Sequence, residues 1–158
     1  MGTKARTASY DKMVPDVRFN SLLLSKFINC LMHDGKKSVA TRIVYDAMDL
    51  IKKRIPDADP IEVFKAAIDN VKPALEVRSR RVGGANYQVP MQVKPQRQQS
   101  LAIRWILIAI RSKAGRPTFQ RLADELIAAS RREGEAMSKR EQTVKMAEAN
   151  KAFSHFAW

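Results

Sequence analysis

The chain has 158 residues and a mass of 17.9 kDa, the size of one ordinary domain, and its 45% hydrophobic content can fill a core. Its 29 Lys and Arg residues outnumber 16 Asp and Glu residues, which gives a net charge of +13. The sequence has no apolar run long enough to span a membrane, no signal-peptide core, and a single cysteine. We therefore expect neither a membrane protein nor a secreted disulfide scaffold nor a zinc finger.

The first half of the sequence predicts an arm and three helices. Residues 1–19 carry no apolar period and predict an extended basic arm. In the three segments that follow, apolar residues recur at three- and four-residue spacing, which is typical of amphipathic helices. The residues that cap or end these segments are Asn20, Gly35, Pro56, Asp59, Pro60 and Pro73. The first predicted helix therefore covers residues 21–33, and the third begins at Pro60 with Asp59 as its cap.

Between residues 74 and 93 the apolar pattern changes from helical spacing to alternation around Gly83 and Gly84. Two alternating runs joined by a double glycine predict a β-hairpin. The arginines beside the turn indicate an arm that projects from the helical body. Because an isolated hairpin is only marginally stable, we expect this one to lean on a partner.

Three more helices are predicted after the hairpin. The stretch Leu101–Ile110 is too uniformly apolar for a surface helix, so the fourth helix should be central and buried. A fifth helix should end at Gly134, and a capping box of Ser138 and Glu141 should open the sixth, which runs to the aromatic residues near position 158.

The predicted fold class is all-α: a six-helix bundle with a protruding two-stranded β-hairpin arm between the third and fourth helices. In domain terms, residues 1–19 form the arm, and residues 20–158 form a single helical domain that contains the hairpin at 74–93.

The positive charge is concentrated in one segment. From Val77 to Ala123 there is no Asp or Glu, whereas the other 111 residues carry only +3. Charge of one sign over 47 residues is the footprint of a polyanion site, and it favours nucleic acid over a merely solvated surface. The ten cations of the segment are Arg78, Arg80, Arg81, Lys94, Arg97, Arg104, Arg111, Lys113, Arg116 and Arg121.

The sequence offers little enzyme chemistry. His33 and His155 are the only histidines, and neither has a neighbour at metal-ligand spacing. The run Gly35-Lys36-Lys37-Ser38 lacks the upstream glycine of a phosphate-binding loop, since Cys30 stands there. No pair of carboxylates lies in the cationic half. We therefore predict no catalysis, no cofactor and no metal site.

Several basic and aromatic residues keep two interpretations. Lys36 and Lys37 are either a solubilising pair or phosphate ligands at the start of a helix. The hairpin arginines either face an anion or only protect an exposed β-edge. Trp105 and Phe119 have apolar surroundings and predict core positions, whereas Tyr87 is the aromatic residue best suited to contact a base or ribose.

Four ordered motifs carry a resemblance to a known family. They are Asp34-Gly-Lys-Lys37, the run Val77-Arg-Ser-Arg-Arg-Val-Gly-Gly-Ala-Asn-Tyr-Gln-Val-Pro90, Ala102-Ile-Arg-Trp105 and Met146-Ala-Glu-Ala-Asn-Lys-Ala-Phe153. Together they resemble the bacterial-type small-subunit (30S) ribosomal protein seven family, the universal small-subunit protein seven family. The resemblance covers the chain from about residue 14 to its end.

The resemblance implies a structural constituent of the ribosome and no enzyme. It implies direct binding to the 3′ major domain of small-subunit ribosomal RNA, nucleation of assembly of the subunit head, and a β-ribbon near the exit-site tRNA and the mRNA path. Small-subunit ribosomal proteins nine and eleven are the implied protein partners. The implied location is the small ribosomal subunit in the cytoplasm, with an organelle ribosome left open.

The resemblance also implies two sets of contact residues. The implied ribosomal RNA contacts are Lys36, Lys37, Lys94, Arg97, Arg104, Arg111, Lys113 and Arg116, to which the basic arm before the resembling region adds Lys4, Arg6 and Lys12 as predicted contacts. The ribbon residues near tRNA and mRNA are Arg78, Arg80, Arg81, Gly83, Gly84, Asn86 and Tyr87.

Two other classes of protein share some of these features. A DNA-bending architectural protein also combines helices with a basic β-arm, but such arms usually carry an apolar wedge at the tip. An RNA-modifying enzyme would need a catalytic or cofactor constellation, which the sequence does not offer.

Overall fold

The structure is a computed structural model that describes residues 13–156. Two compact units make up the fold, one ending at Tyr45 and one beginning at Asp46. The described residues form six α-helices, one 3₁₀ helix and one two-stranded antiparallel hairpin. A mostly helical fold with one hairpin is thus confirmed, although the predicted count of six helices left out the 3₁₀ helix. The predicted division into an arm over 1–19 and a domain over 20–158 stays a prediction.

The first unit contains α1 (Leu22–Leu31) and the beginning of α2 (Lys37–Arg54). The prediction of Asn20 as the cap of α1 is wrong, because Asn20 has a left-handed φ of 47° and the next residue takes the capping position. The Ser21 hydroxyl accepts the hydrogen bond of the Leu24 N–H at 3.3 Å. Leu24 and Phe27 on α1 are fully buried, as the helical spacing predicted.

A buried carboxylate joins the segment before α1 to α2. Asp16 accepts hydrogen bonds from the backbone N–H groups of Arg18 and Phe19 and from the Tyr45 hydroxyl at 2.8 Å. The Arg18 guanidinium lies over the rings of Phe19 and Tyr45, at 5.2 and 5.4 Å from their centroids. Residues 16–19 are therefore fixed by α2, which the absence of an apolar period did not indicate.

In the second unit, the remaining helices are α3 (Pro60–Val71), α4 (Pro95–Ser112), α5 (Thr118–Ser130) and α6 (Glu135–Ala149), with the 3₁₀ helix Lys151–Phe156 at the end of the described chain. Asp59 caps α3 as predicted, since its carboxylate accepts the Ile61 N–H at 3.1 Å. The helices α3, α5 and α6 all pack against α4. Ile106 and Ile110 of α4 are fully buried, so α4 is the central helix of this unit.

The burial of α4 is incomplete, however. Arg104, Ile108 and Arg111 are exposed and lie on one side of the helix, so the predicted buried helix also has a face in contact with solvent. The sequence did not reveal this exposed face because Ile108, which lies within the apolar run Ile106–Ile110, is itself 45% exposed.

The start of α6 also differs from the prediction. The helix begins at Glu135, three residues before the predicted capping box at Ser138. Its cap comes from another helix, because the carboxylate of Glu125 on α5 accepts the Ala136 N–H at 2.9 Å. The helix ends at Ala149 instead of continuing to the aromatic residues, and Trp158 lies outside the described residues.

The hairpin consists of β1 (Leu75–Val82) and β2 (Ala85–Gln92), with Arg80 opposite Tyr87 and Glu76 opposite Met91. Gly83 and Gly84 have φ values of 59° and 87°, which a tight primed turn requires. The hairpin packs on α6 and on the 3₁₀ helix. The partner on which the hairpin leans is therefore a part of its own chain.

Candidate nucleic-acid interface

Three arginines lie along the exposed side of α4. Arg97, Arg104 and Arg111 follow one another at seven-residue intervals, which places them on one helix face about 10.5 Å apart. We call these three residues the α4 basic stripe. The side chain of Arg104 forms no ion pair or hydrogen bond with any residue of the described chain. The stripe thus presents cationic groups to solvent in a line along the helix.

The acid-free segment is partly neutralised by acids just outside its two borders. Glu76 stands one residue before it, and Asp124 and Glu125 directly follow it. The ion pairs are Glu76 with Arg78 and Arg97, Asp124 with Arg54 and Arg116, and Glu125 with Lys113. Counting charge inside the segment alone missed these pairs. The i,i+2 spacing of Glu76 and Arg78 on one strand face was the available signal.

Glu76 binds two arginines of the acid-free segment. Its carboxylate accepts bonds from Arg78 at 2.6 and 2.8 Å and from Arg97 Nε at 3.1 Å. The carboxylate side chain is only 9% exposed, whereas Arg78 and Arg97 keep 52% and 44% of theirs exposed. A strand of the ribbon and the first turn of α4 are thereby joined through one acid. Lys94 lines the same pocket of about 290 Å³.

Lys113 is bound to a deeply buried acid. Its Nζ donates to the Glu125 carboxylate at 2.8 Å, and the Glu125 side chain is 1% exposed. This hydrogen bond, assisted by the charge of Glu125, raises the pKa of Lys113 above its usual value of 10.5, although partial burial opposes the shift. Lys113 is therefore held to the protein more firmly than Arg104.

Arg121 belongs to the basic segment but has a structural role. Its guanidinium donates to the carbonyl oxygens of Ile110 and Lys113 and to the Thr118 hydroxyl. These bonds satisfy acceptors at the C-terminal end of α4, where a cation is favoured. The charge count could not separate Arg121 from the exposed arginines.

The predicted ribbon residues gather at the far end of the hairpin. Arg81, Gly83, Gly84 and Asn86 are exposed, and no backbone or side-chain atom would lie within 4 Å of a Cβ at either glycine. The tip thus leaves room for another backbone to approach closely.

Tyr87 is less accessible than the rest of the tip. Its ring centroid lies 5.2 Å from that of Phe153 and 5.1 Å from that of Phe156, both on the 3₁₀ helix. The ring therefore packs within the protein, and only part of it can face a base or ribose.

The first unit carries the remaining described cations of the predicted set. Lys36 and Lys37 are exposed at the start of α2, after a turn in which Asp34 and Gly35 have φ values of 51° and 71°. The predicted contacts Lys4, Arg6 and Lys12 lie outside the described residues.

Between residues 13 and 156 no His, Cys, Asp and Glu side chains cluster in a way that could hold a metal ion. Over the same range, no helix is long and apolar enough to cross a membrane.

Comparison with known proteins decides between the classes that such a basic surface allows. The sequence model of the family described as ribosomal protein S7p/S5e matches residues 3–151. The chain belongs to this ribosomal protein family. The match confirms the resemblance that the four sequence motifs carried.

Relatives in the S7p/S5e family match the chain over nearly its whole length. The small ribosomal subunit protein uS7 of Rhodopirellula baltica is 61% identical over 153 residues, which are 96% of this chain and 98% of that protein. The uS7 proteins of Magnetococcus marinus and Phenylobacterium zucineum are 54% and 51% identical over 156 residues, with 99% of each chain covered. The family is a structural component of the ribosome, and the prediction that the chain is not an enzyme is confirmed.

Proposed function

We propose that this structural constituent of the small ribosomal subunit binds the 3′ major domain of small-subunit ribosomal RNA directly and nucleates assembly of the subunit head. The relatives are named small ribosomal subunit proteins, which supports a place in the cytoplasmic small subunit. Small-subunit ribosomal proteins nine and eleven are the proposed protein neighbours. The finer assignment to the 3′ major domain comes from the family resemblance of the sequence motifs.

The α4 basic stripe is the observation that carries direct RNA binding. Exposed arginines in a line release counterions when they meet successive phosphates, and this release drives binding whatever the sequence of the RNA. Arginine also donates bidentate hydrogen bonds to phosphate oxygens. Because α4 is packed against three other helices, the stripe is presented by a rigid element.

The internal ion pairs rank the proposed contacts. Arg104, Lys36, Lys37 and Lys94 are exposed and should contribute most. Arg111 is exposed as well, and Arg97 ranks below Arg104 because it already donates to Glu76. Lys113 should contribute least, because an RNA phosphate would compete with the buried carboxylate of Glu125 for the same ammonium group. Arg116 is intermediate, since its contact with Asp124 is 3.5 Å long and its side chain is 69% exposed.

The ribbon tip is proposed to lie near the exit-site tRNA and the mRNA path. The supporting features are the exposed Arg81, the exposed double glycine and Asn86, which together combine charge with room for a nucleic-acid backbone. The same features argue against a DNA-bending arm, because an apolar side chain suited to wedge between base pairs is not exposed at residues 83–86.

Salt dependence of RNA binding tests the proposal. The affinity for a 3′ major domain fragment should fall linearly on logarithmic axes as salt rises, by about 0.7–0.9 per phosphate neutralised. The Arg104→Glu variant should weaken binding and lower this slope. Lys65→Glu is the matched control, because Lys65 is already paired with Glu62 on its own helix. A slope near zero for the wild-type chain would contradict direct phosphate binding.

A further inference from the structure

The cluster around Glu76 joins the ribbon to the predicted ribosomal RNA contacts, which were predicted as two separate surfaces. Arg78 was assigned to the ribbon and Arg97 to the ribosomal RNA contacts, yet both guanidinium groups bind the same carboxylate. Glu76 is nearly buried and the two arginines are half-exposed, so its carboxylate fixes the positions of both guanidinium groups. The exposed sides of both guanidinium groups stay available to a ligand.

We propose that Glu76 is a positioning residue and that Arg78, Arg97 and Lys94 form a subsite for one RNA phosphodiester. This inference rests on the proposed RNA-binding function and names the ligand of one part of the basic surface.

The hydrogen-bonding capacity of the arginines supports this assignment. Each guanidinium has five N–H donors. Arg78 uses Nε and one terminal nitrogen on Glu76, and Arg97 uses Nε. The terminal nitrogens that remain can donate to the anionic oxygens of a phosphate, for which a planar fork is well suited.

The charge balance also favours an anion. Three cations and one carboxylate line a pocket of about 290 Å³, so the pocket carries a net positive charge. Both carboxylate oxygens of Glu76 already accept hydrogen bonds from arginine, which shields an incoming phosphate from the acid. Glu76 lowers the charge of the site by one unit but removes most of the freedom that two arginine side chains would lose on binding.

These two effects of Glu76 predict opposite results for Glu76→Gln. If Glu76 acted only through its charge, its neutralisation would strengthen RNA binding. Because we infer a positioning role, we expect binding to a 3′ major domain fragment to weaken by about tenfold and the salt slope to fall by about one phosphate. Binding to heparin, which needs no fixed geometry, should not weaken.

The matched control is Glu62→Gln, which makes the same change of charge at an ion-paired glutamate on α3 and should leave RNA affinity unchanged. A second variant, Arg97→Lys, keeps the charge but removes the fork. It should weaken binding in the wild-type background and have little further effect in the Glu76→Gln background, as coupled residues do. If Glu76→Gln fails to fold in a thermal melt, Arg97→Lys and Arg78→Lys carry the test, and unchanged affinity in both would overturn the inference.

The same titrations with tRNA identify the source of the phosphate. A loss confined to the ribosomal RNA fragment assigns the subsite to ribosomal RNA, and a loss confined to tRNA assigns it to tRNA. Unchanged or tighter binding of Glu76→Gln to both RNAs, or an equal loss of heparin binding, would overturn this inference but not the proposed function. Failure of the wild-type chain to bind either RNA would instead overturn the proposed function.

Discussion

The carboxylate of Glu125 on α5 accepts a hydrogen bond from the backbone N–H of Ala136 at 2.9 Å and so caps α6 from another helix. Gly134 precedes α6 with a φ of 96°, and a Cβ there would lie 2.8 Å from Glu125 Oε1. The glycine thus allows both the left-handed backbone and the close approach of the carboxylate. Lys113 completes the cluster from the other side at 2.8 Å.

Replacing Glu125 with alanine should destabilise the fold strongly. The change leaves the buried Ala136 N–H without its acceptor, which costs about 1–3 kcal/mol, and it also removes the partner of Lys113. We expect a loss of about 2–4 kcal/mol in the free energy of unfolding, measured by urea denaturation. Glu133→Ala, between α5 and α6, removes an exposed glutamate and should change stability by less than about 0.5 kcal/mol. Equal effects of the two variants would contradict the capping role.

The same cluster predicts a dependence of stability on alkaline pH. Because the pKa of Lys113 is raised in the folded state, the folded chain holds this proton more tightly than the unfolded chain. The resulting stabilisation is fully present below pH 10.5 and disappears as the pH rises through the folded pKa. Unfolding free energies measured from pH 9 upward should therefore fall more steeply for the wild type than for Lys113→Met.

Tyr45 acts in the same direction and must be kept constant in that comparison. Burial raises its pKa above 10.0, assisted by its hydrogen bond to Asp16. Both the wild type and Lys113→Met retain Tyr45, so the difference between their pH profiles reports on Lys113. Parallel profiles would show that the Lys113–Glu125 pair adds nothing to stability.

How much of this could be predicted depended on the range of the interactions. The cap of α3 and the double-glycine turn involve neighbours in sequence, and both were predicted correctly. The start of α6 was placed wrongly because its cap lies eleven residues upstream on another helix. A local capping box at Ser138 was the stronger sequence pattern, although the long-range bond from Glu125 decided the helix boundary.

In the candidate site too, local features were predicted from the sequence and long-range contacts were not. The acid-free segment located the basic surface, because the charge of a segment can be counted from the sequence. The pairing of Arg78 and Arg97 through Glu76 could not be counted, since it depends on the hairpin bringing residues 21 positions apart into contact. For the same reason, Arg104 and Lys113 were predicted as equivalent contacts, whereas the structure pairs only Lys113 with an acid.

The base of the hairpin should matter more for stability than its tip. The hairpin contributes to the core at its base, where Val89 and Val93 are buried. A buried valine contributes about 1.5–3 kcal/mol, so replacing residues 75–93 with a Gly/Ser linker should remove a large part of a typical stability of about 5–15 kcal/mol. Replacing only residues 80–86, which are mostly exposed and leave Tyr87 on its aromatic partners, should change stability by less than about 1 kcal/mol. Thermal melts of both variants test this, and equal melting temperatures would contradict it.

The hairpin tip, residues 80–86, and the exposed cations of the helices should also differ in function. Reversing the charge of Lys36, Lys37 and Arg104 removes exposed cations, and each lost phosphate contact removes counterion release whatever the RNA sequence. This body variant should bind ribosomal RNA weakly and stall assembly of the subunit head. Deleting the tip, residues 80–86, removes little buried surface, so particles should assemble nearly normally. The tip deletion should instead alter tRNA retention or reading-frame fidelity.

Gradient profiles of particles reconstituted with each variant, followed by a translation-fidelity assay, make the comparison. Lys65→Glu serves as the control for charge reversal, because Lys65 is paired with Glu62 and lies on a helix outside the basic segment. It should assemble and translate as the wild type does. If the tip deletion blocks assembly while the body variant assembles normally, the assignments of the two surfaces are reversed, because the ribbon and not the α4 basic stripe would then hold the ribosomal RNA.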